Sequence, residues 1–205
     1  MFNWEEWQLA LKPKKIDPRA ARTRILIQEA FLSLASEKKF EAITVKDISE
    51  RAVVNRATFY DHFDDKYNLL EYLLSDAFTS SVASKLQSNM QLNRDTLKTI
   101  IIALCNYHEN IHNHCKRVYK SISSYMDNEI QLKLKELISL MIANTTSFEH
   151  IEQEKLDLLS IMISNSLYGA TSHWYGQGKI INELELSEDI LPFIMSGINM
   201  FASMK

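Results

Sequence analysis

The sequence predicts an all-α protein: a three-helix head followed by a larger helical bundle, about nine helices in total. Three observations carry this expectation. Only 4 Gly and 3 Pro occur in 205 residues, so turn-forming punctuation is sparse. Apolar residues make up 46% and recur at three-to-four spacing, without long alternating β-branched runs. Charge divides the chain: residues 12–60 hold eleven Lys/Arg against six Asp/Glu, and residues 61–205 hold twelve against eighteen.

Each element has a local reason. Asp17 suits an N-cap and Pro18 the first helical position. The helix they open runs to about Ser36, with Ile25, Ala30, Phe31, Leu34 and Ala35 on one stripe. Thr44 and Asp47 form a variant capping box on a second helix, which runs to about Arg51 and buries Val45 and Ile48. After a short break, Asn55 caps a third helix, Arg56 to about Asp61. Asp64 is the expected cap of a fourth, with Leu69, Leu70, Leu73, Leu74 and Phe78 on one face. Longer helices follow at roughly 94–110, 112–125, 127–149, 152–176 and 187–204. Asn93, Asn110, Asp127 and the segment 176–179 are the expected breaks between them. The domain division is then an N-terminal extension or arm at 1–16, a head at 17–64 and a body at 65–205.

Composition narrows the function. No run of 18 or more apolar residues offers a membrane span. The N-terminus is acidic and has no apolar signal core. Two cysteines, Cys105 and Cys115, make no disulfide framework, which points to a reduced, cytoplasmic protein. No Gly-rich phosphate loop, nucleophile elbow, HExxH or spaced carboxylate pair occurs, so the chain reads as a non-enzyme with no cofactor and no metal.

The second and third segments are short helices joined by about three residues and braced by a longer first helix. That is a helix-turn-helix arrangement, whose second helix offers its first residues to the major groove. Arg56 can donate to a guanine edge or a phosphate. Thr58 and Tyr60 can offer hydroxyls to phosphates, and Asn55 satisfies the helix start. Phe59 and Phe63 point back as anchors. Lys66 opens the next helix, where the dipole also favours a phosphate. The basic block fits a nucleic-acid-binding head on an acidic body. Further basic residues (Lys12, Lys14, Lys15, Arg19, Arg22 and Arg24) suit an arm tracking the DNA backbone, or a solvated tail. Trp4 and Trp7, three residues apart, suggest a short helical turn packing on the head or on a partner chain.

Residues 18–74 resemble the DNA-binding head of the tetracycline-repressor (TetR) family of bacterial transcription regulators. The most specific elements are Thr-Phe-Tyr-x-His-Phe at 58–63 and the spacing from Lys66 to Leu69 and Leu70. The resemblance implies DNA contacts from Thr44 and Lys46 at the start of the second helix. It implies others from Arg56, Ala57, Thr58, Tyr60 and His62, and a phosphate contact from Lys66. One position departs: Val53 stands where the family has Gly in the turn, and a β-branched residue resists positive φ. Either the turn avoids that conformation or the helix pair is set differently.

The body suggests partners. The helix at 152–176 is apolar nearly all round, and so is the last; such helices must be buried all round. Pairing them between two chains predicts a homodimer through Leu159, Ile163, Leu167, Ala170, Trp174, Ile194, Ile198 and Phe201. The resemblance implies the same dimer, which places two recognition helices about 34–36 Å or a small multiple apart and so predicts a palindromic double-stranded DNA operator. The middle helices could enclose a pocket for an unknown small-molecule inducer. Its candidate residues are Cys105, His108, His112, Tyr119, Tyr125, Met141, Met162, Asn165 and Tyr168. Cys105, His108, His112 and Cys115 carry metal-binding groups, but the outer two lie about 15 Å apart on a continuous helix. They could meet at one ion only if the chain breaks near Asn110. The resulting expectation is a homodimeric, ligand-responsive repressor without membrane contact. The alternative is a helical dimeric ligand-binding or scaffold protein that has lost specific DNA binding.

Overall fold

The computed structural model describes residues 17–86 and 91–203, apart from the side chains at positions 83 and 112–119. The expectations for Trp4, Trp7, Lys12, Lys14 and Lys15 lie outside these residues, as do those for the side chains of His112, Cys115 and Tyr119. The described chain is all-α. Its helices are α1 (Pro18–Glu37), α2 (Val45–Arg51), α3 (Arg56–Tyr60), α4 (Lys66–Ser81), α5 (Arg94–Ala143), α6 (Gln153–Gly176) and α7 (Glu183–Ala202). Short 3₁₀ turns at Phe40–Ala42, Ala83–Lys85 and Thr146–Phe148 join some of them. No described helix is long and apolar enough to cross a membrane.

The caps are local and side-chain driven. Asp17 accepts the Arg19 amide at 2.7 Å, and Asn182 accepts those of Leu184 and Glu185. The cap of α4 is Asp65, not the expected Asp64: its Oδ1 accepts the amides of Tyr67 and Asn68, each at 2.8 Å.

The largest departure from expectation is α5. Three predicted helices are one helix of 50 residues, about 75 Å long at 1.5 Å per residue. Asn110 and Asp127 do not break it. Each costs a helix only a few tenths of a kcal/mol to about 0.7 kcal/mol, and no Gly or Pro occurs between Arg94 and Ala143. Asp127 is held mid-helix by α6, where Tyr168 donates its hydroxyl to Oδ1 at 2.6 Å. The break needed to gather Cys105 and Cys115 at one ion is therefore absent.

One continuous core joins head and body. Phe31, Phe40, Phe59, Phe63, Leu69 and Leu74 are buried at the head, and Leu97, Ile101, Leu134, Leu137 and Leu167 in the body. Helix α5 packs against α1, α4, α6 and α7, and so touches both parts.

Candidate nucleic-acid interface

Helix α2 opens with a complete capping box. The Thr44 Oγ1 accepts the Asp47 amide at 3.1 Å, and Asp47 Oδ2 accepts the Thr44 amide at 2.9 Å. The Thr44 hydroxyl also donates to Asp47 at 2.7 Å, which with the backbone bond holds that carboxyl below its ordinary range. Arg51 closes the helix by a bidentate pair with Glu37 at 2.8 and 3.0 Å, and it also donates to Ser33. These bonds fix α2 to α1.

The turn to α3 is a Schellman motif. The Val54 amide donates to Ser49 O at 3.0 Å and the Val53 amide to Glu50 O at 3.3 Å. Val53 occupies the left-handed position at φ +56°. The first alternative drawn from the sequence does not hold: the turn keeps the positive-φ conformation, and valine is strained into it. Helix α6 ends with the same motif, with Gly178 at φ +82° in the equivalent place.

Asn55 then caps α3, accepting the Thr58 amide at 2.7 Å and the Thr58 hydroxyl at 3.0 Å. Phe59 and Phe63 anchor the inner side, fully or nearly fully buried. The outer side presents Arg56, Ala57 and Tyr60, with Tyr60 55% exposed. Lys46 is exposed on α2, in a loose 3.7 Å pair with Glu50. His62 is half-buried; burial lowers its pKa first, and the nearby Arg24 guanidinium adds to that.

Lys66 differs from expectation. Its ammonium donates to three backbone carbonyls, Phe40 O and Ile43 O at 2.9 Å and Glu41 O at 3.3 Å. It also lies 4.5 Å from the Phe40 ring centroid. All three N–H groups are used within the head, so this side chain is a clamp on the α1–α2 loop rather than a free phosphate ligand. Its pKa falls because it is desolvated. Arg24, which the sequence groups with a basic arm, instead lays its guanidinium over Phe63 and Tyr72 at 5.5 and 5.0 Å. Sequence reading also missed Ser121 and Tyr125 as braces. Ser121 Oγ accepts the Phe40 amide at 3.3 Å across 81 residues, a contact with no local sequence signal.

The described residues expected around an inducer divide between the interior, the head–body seam and the outer face of α6. Cys105, His108, Met141 and Tyr168 are buried between helices. His108 Nε2 lies 3.1 Å from Thr171 Oγ1, and burial pushes the Cys105 thiol up to about 12. Tyr125 sits at the head–body seam, edge-on to Tyr67. Met162 and Asn165 face outward from α6, which corrects their assignment to an interior pocket. The expected dimer residues divide as well. Leu167 and Trp174 are buried in their own chain, with Trp174 Nε1 donating to Ile181 O at 2.7 Å; Ala170 is half-buried beside them. Leu159, Ile163, Ile194, Ile198 and Phe201 line an open groove of about 340 Å³ between α6 and α7. Its rim is Met162, Phe193 and Met200, exposed by 50%, 75% and 63%.

Comparison with known proteins agrees with this geometry. Residues 27–73 match the family described as bacterial regulatory proteins, tetR family. Over 64 residues the chain is 44% identical to the uncharacterized HTH-type transcriptional regulator YxbF of Bacillus subtilis (strain 168). That match covers 31% of this chain and only 17% of the relative's length. Two solved structures resemble nearly the whole fold. The dihydroxyacetone kinase operon activator DhaS has a TM-score of 0.59 at 17% identity, over 87% of this chain and 97% of its own. The fatty acid degradation regulator FadR from Bacillus halodurans has a TM-score of 0.52 at 14% identity, over 90% and 98%.

Proposed function

We propose that this chain, whose residues 27–73 match the tetR family of bacterial regulatory proteins, is a DNA-binding transcription regulator of that family that works as a homodimer in the cytoplasm. The observation that carries the reading is the outer face of α3. Arg56, Ala57 and Tyr60 stand exposed on a helix whose start is capped by Asn55 and whose inner side is locked by Phe59. A short rigid helix with a free N-terminal face is what the major groove accepts. Arg56 is the base-reading residue; Tyr60, Lys46 and the Thr44 backbone region position the head on phosphates. Lys66 holds the loop ahead of α2 and so orients the pair indirectly. Residues 17–64 form the DNA-binding unit and 65–203 the body.

The groove between α6 and α7 supports the dimer. Leu158, Ile161, Met162, Phe193 and Met200 are all exposed large apolar side chains on these two helices. A contiguous exposed apolar face of this kind marks an association surface. A two-fold pairing there buries it and sets two α3 helices on successive half-sites of a palindrome. Phe193→Glu puts a charge in the middle of that face and is expected to give a monomer by analytical ultracentrifugation.

The test of function is a mobility-shift titration of the purified protein on its own upstream intergenic DNA across a salt series. Tight binding that weakens with salt, and that Arg56→Ala both weakens and relaxes in base preference, supports the reading. Salt-independent association, or equal binding by Arg56→Ala, overturns it in favour of a helical scaffold. Release by a small molecule, and hence action as a repressor, belongs to the same proposal.

A further inference from the structure

A cavity of about 270 Å³ lies where head and body meet. Its apolar wall is built by Phe31 and Leu32 of α1, Leu73 and Ala77 of α4, and Ile111 and Met126 of α5. Its polar rim is Asp76, Ser80, Ser81 and Asn110. Each of the three helices belongs to a different part of the mechanism: α1 braces the DNA-reading pair, α4 connects it to the body, and α5 is the body's long spine.

We propose that this cavity is a ligand site for a medium-chain aliphatic molecule with one neutral or cationic hydrogen-bonding end, an alkyl alcohol or alkyl amine. The inference rests on the regulator reading above and gives its small-molecule input a place and a chemistry. Size sets the chain length. An apolar cavity of about 150 Å³ holds the six carbons of benzene, so one of this volume takes about ten heavy atoms. The lining sets the polarity. The rim offers one carboxylate, two hydroxyls and an amide, and no cation stands among the described lining residues. An amine or hydroxyl finds acceptors there, whereas a carboxylate meets the like-charged carboxylate of Asp76.

The walls also touch the parts that orient the head. Phe31 packs edge-on against Phe40, with centroids 6.2 Å apart. The Phe40 amide donates to Ser121 of α5, and its carbonyl accepts from Lys66. Met126 lies one residue from Tyr125, which packs edge-on against Tyr67. A guest that displaces Phe31 or Met126 therefore acts on the segment of α5 that fastens the α1–α2 loop. It shifts the head to the extent that it binds one head position better than the other.

The experiment uses the full-length protein with octylamine, 1-octanol and octanoate, all kept below their micellar range. Thermal unfolding is read first. Octylamine and 1-octanol at a hundredfold excess over their Kd are expected to raise the midpoint by about 5–10 °C. Octanoate is expected to give less than a third of that rise. Ala77→Leu, which fills the cavity, abolishes the shift, while Ala77→Ser, which leaves it open, retains it; far-UV circular dichroism confirms that both fold. DNA release is read second. Ser121→Ala combined with Tyr125→Leu keeps the thermal shift and needs at least tenfold more octylamine for half-release. The proposal is overturned if no octyl compound shifts the midpoint, if octanoate is the strongest, or if Ala77→Leu shifts like the parent. A cavity-dependent shift in a protein that never binds DNA would uphold the site and overturn the regulator reading instead.

Discussion

Replacing Val53 by glycine should stabilise the protein, and the magnitude follows from the turn. Val53 holds φ +56° at the position of a Schellman motif that glycine usually occupies. The left-handed region costs a residue with a Cβ about 1–2 kcal/mol, and branching at Cβ places valine at the upper end. Glycine removes that strain. It returns about 0.5–1 kcal/mol through the greater freedom of the unfolded chain. The valine side chain is 90% exposed, so its deletion forfeits almost no burial. The net expected gain is about 1–1.5 kcal/mol, with a rise in Tm of about 2–6 °C for a chain of this size. Urea unfolding followed by far-UV circular dichroism should show a higher midpoint with an unchanged slope. Val53→Asn, which tolerates the same region, should fall between the two. A midpoint equal to or below that of the parent for Val53→Gly would refute the strain argument.

Other outcomes follow from the same geometry. Lys66→Met keeps the aliphatic stem but strands the Phe40 and Ile43 carbonyls, so it should lose about 2 kcal/mol of stability. If Lys66 instead contacts a phosphate in the complex, the salt slope of DNA binding drops by about one while stability holds. The lowered pKa of His62 means that the unfolded chain binds its proton more readily than the folded one. Stability from this group is therefore present above about pH 6.5 and lost as pH falls. The difference in unfolding midpoint between parent and His62→Gln should change between pH 7.5 and 5.5, and a constant difference would contradict the burial of the imidazole. Cys105 should resist a thiol reagent at pH 8 in a Cys115→Ser background and react fully in urea. Reaction in the native state would show that the α5–α6 interface opens.

Much of the head was legible from local signals. Thr44 with Asp47, Asn55 with Thr58, and Asp17 with Pro18 each act within three residues, and each cap lies where its chemistry predicts. Phe59 and Phe63 were readable as anchors from their spacing. The misreadings share one cause. Asn110 and Asp127 are weak helix breakers, and packing along α5 outweighs a preference of a few tenths of a kcal/mol. Asp64 and Asp65 are equivalent as cap residues in sequence, and only the path of the turn selects Asp65. The apolar girth of α6 was read as a dimer surface, but much of it is covered by α5 of the same chain, which leaves Met162 and its neighbours exposed.

The sequence by itself determined the helical class, the helix-turn-helix head and the residues exposed on α3. Those properties depend on periodicity, caps and short-range packing, which act over one or two turns. The tertiary structure decided what side chains do once distant segments meet. It turned Lys66 inward, because carbonyls of the α1–α2 loop, 23 to 26 residues away, lie within its reach. It seated Phe40 on Ser121, opened a cavity between α1, α4 and α5, and obliged Val53 to accept a conformation its side chain resists. At Val53 a local preference of about 1–2 kcal/mol opposes the packing of the helices on either side of the turn, and the apolar area buried there outweighs it.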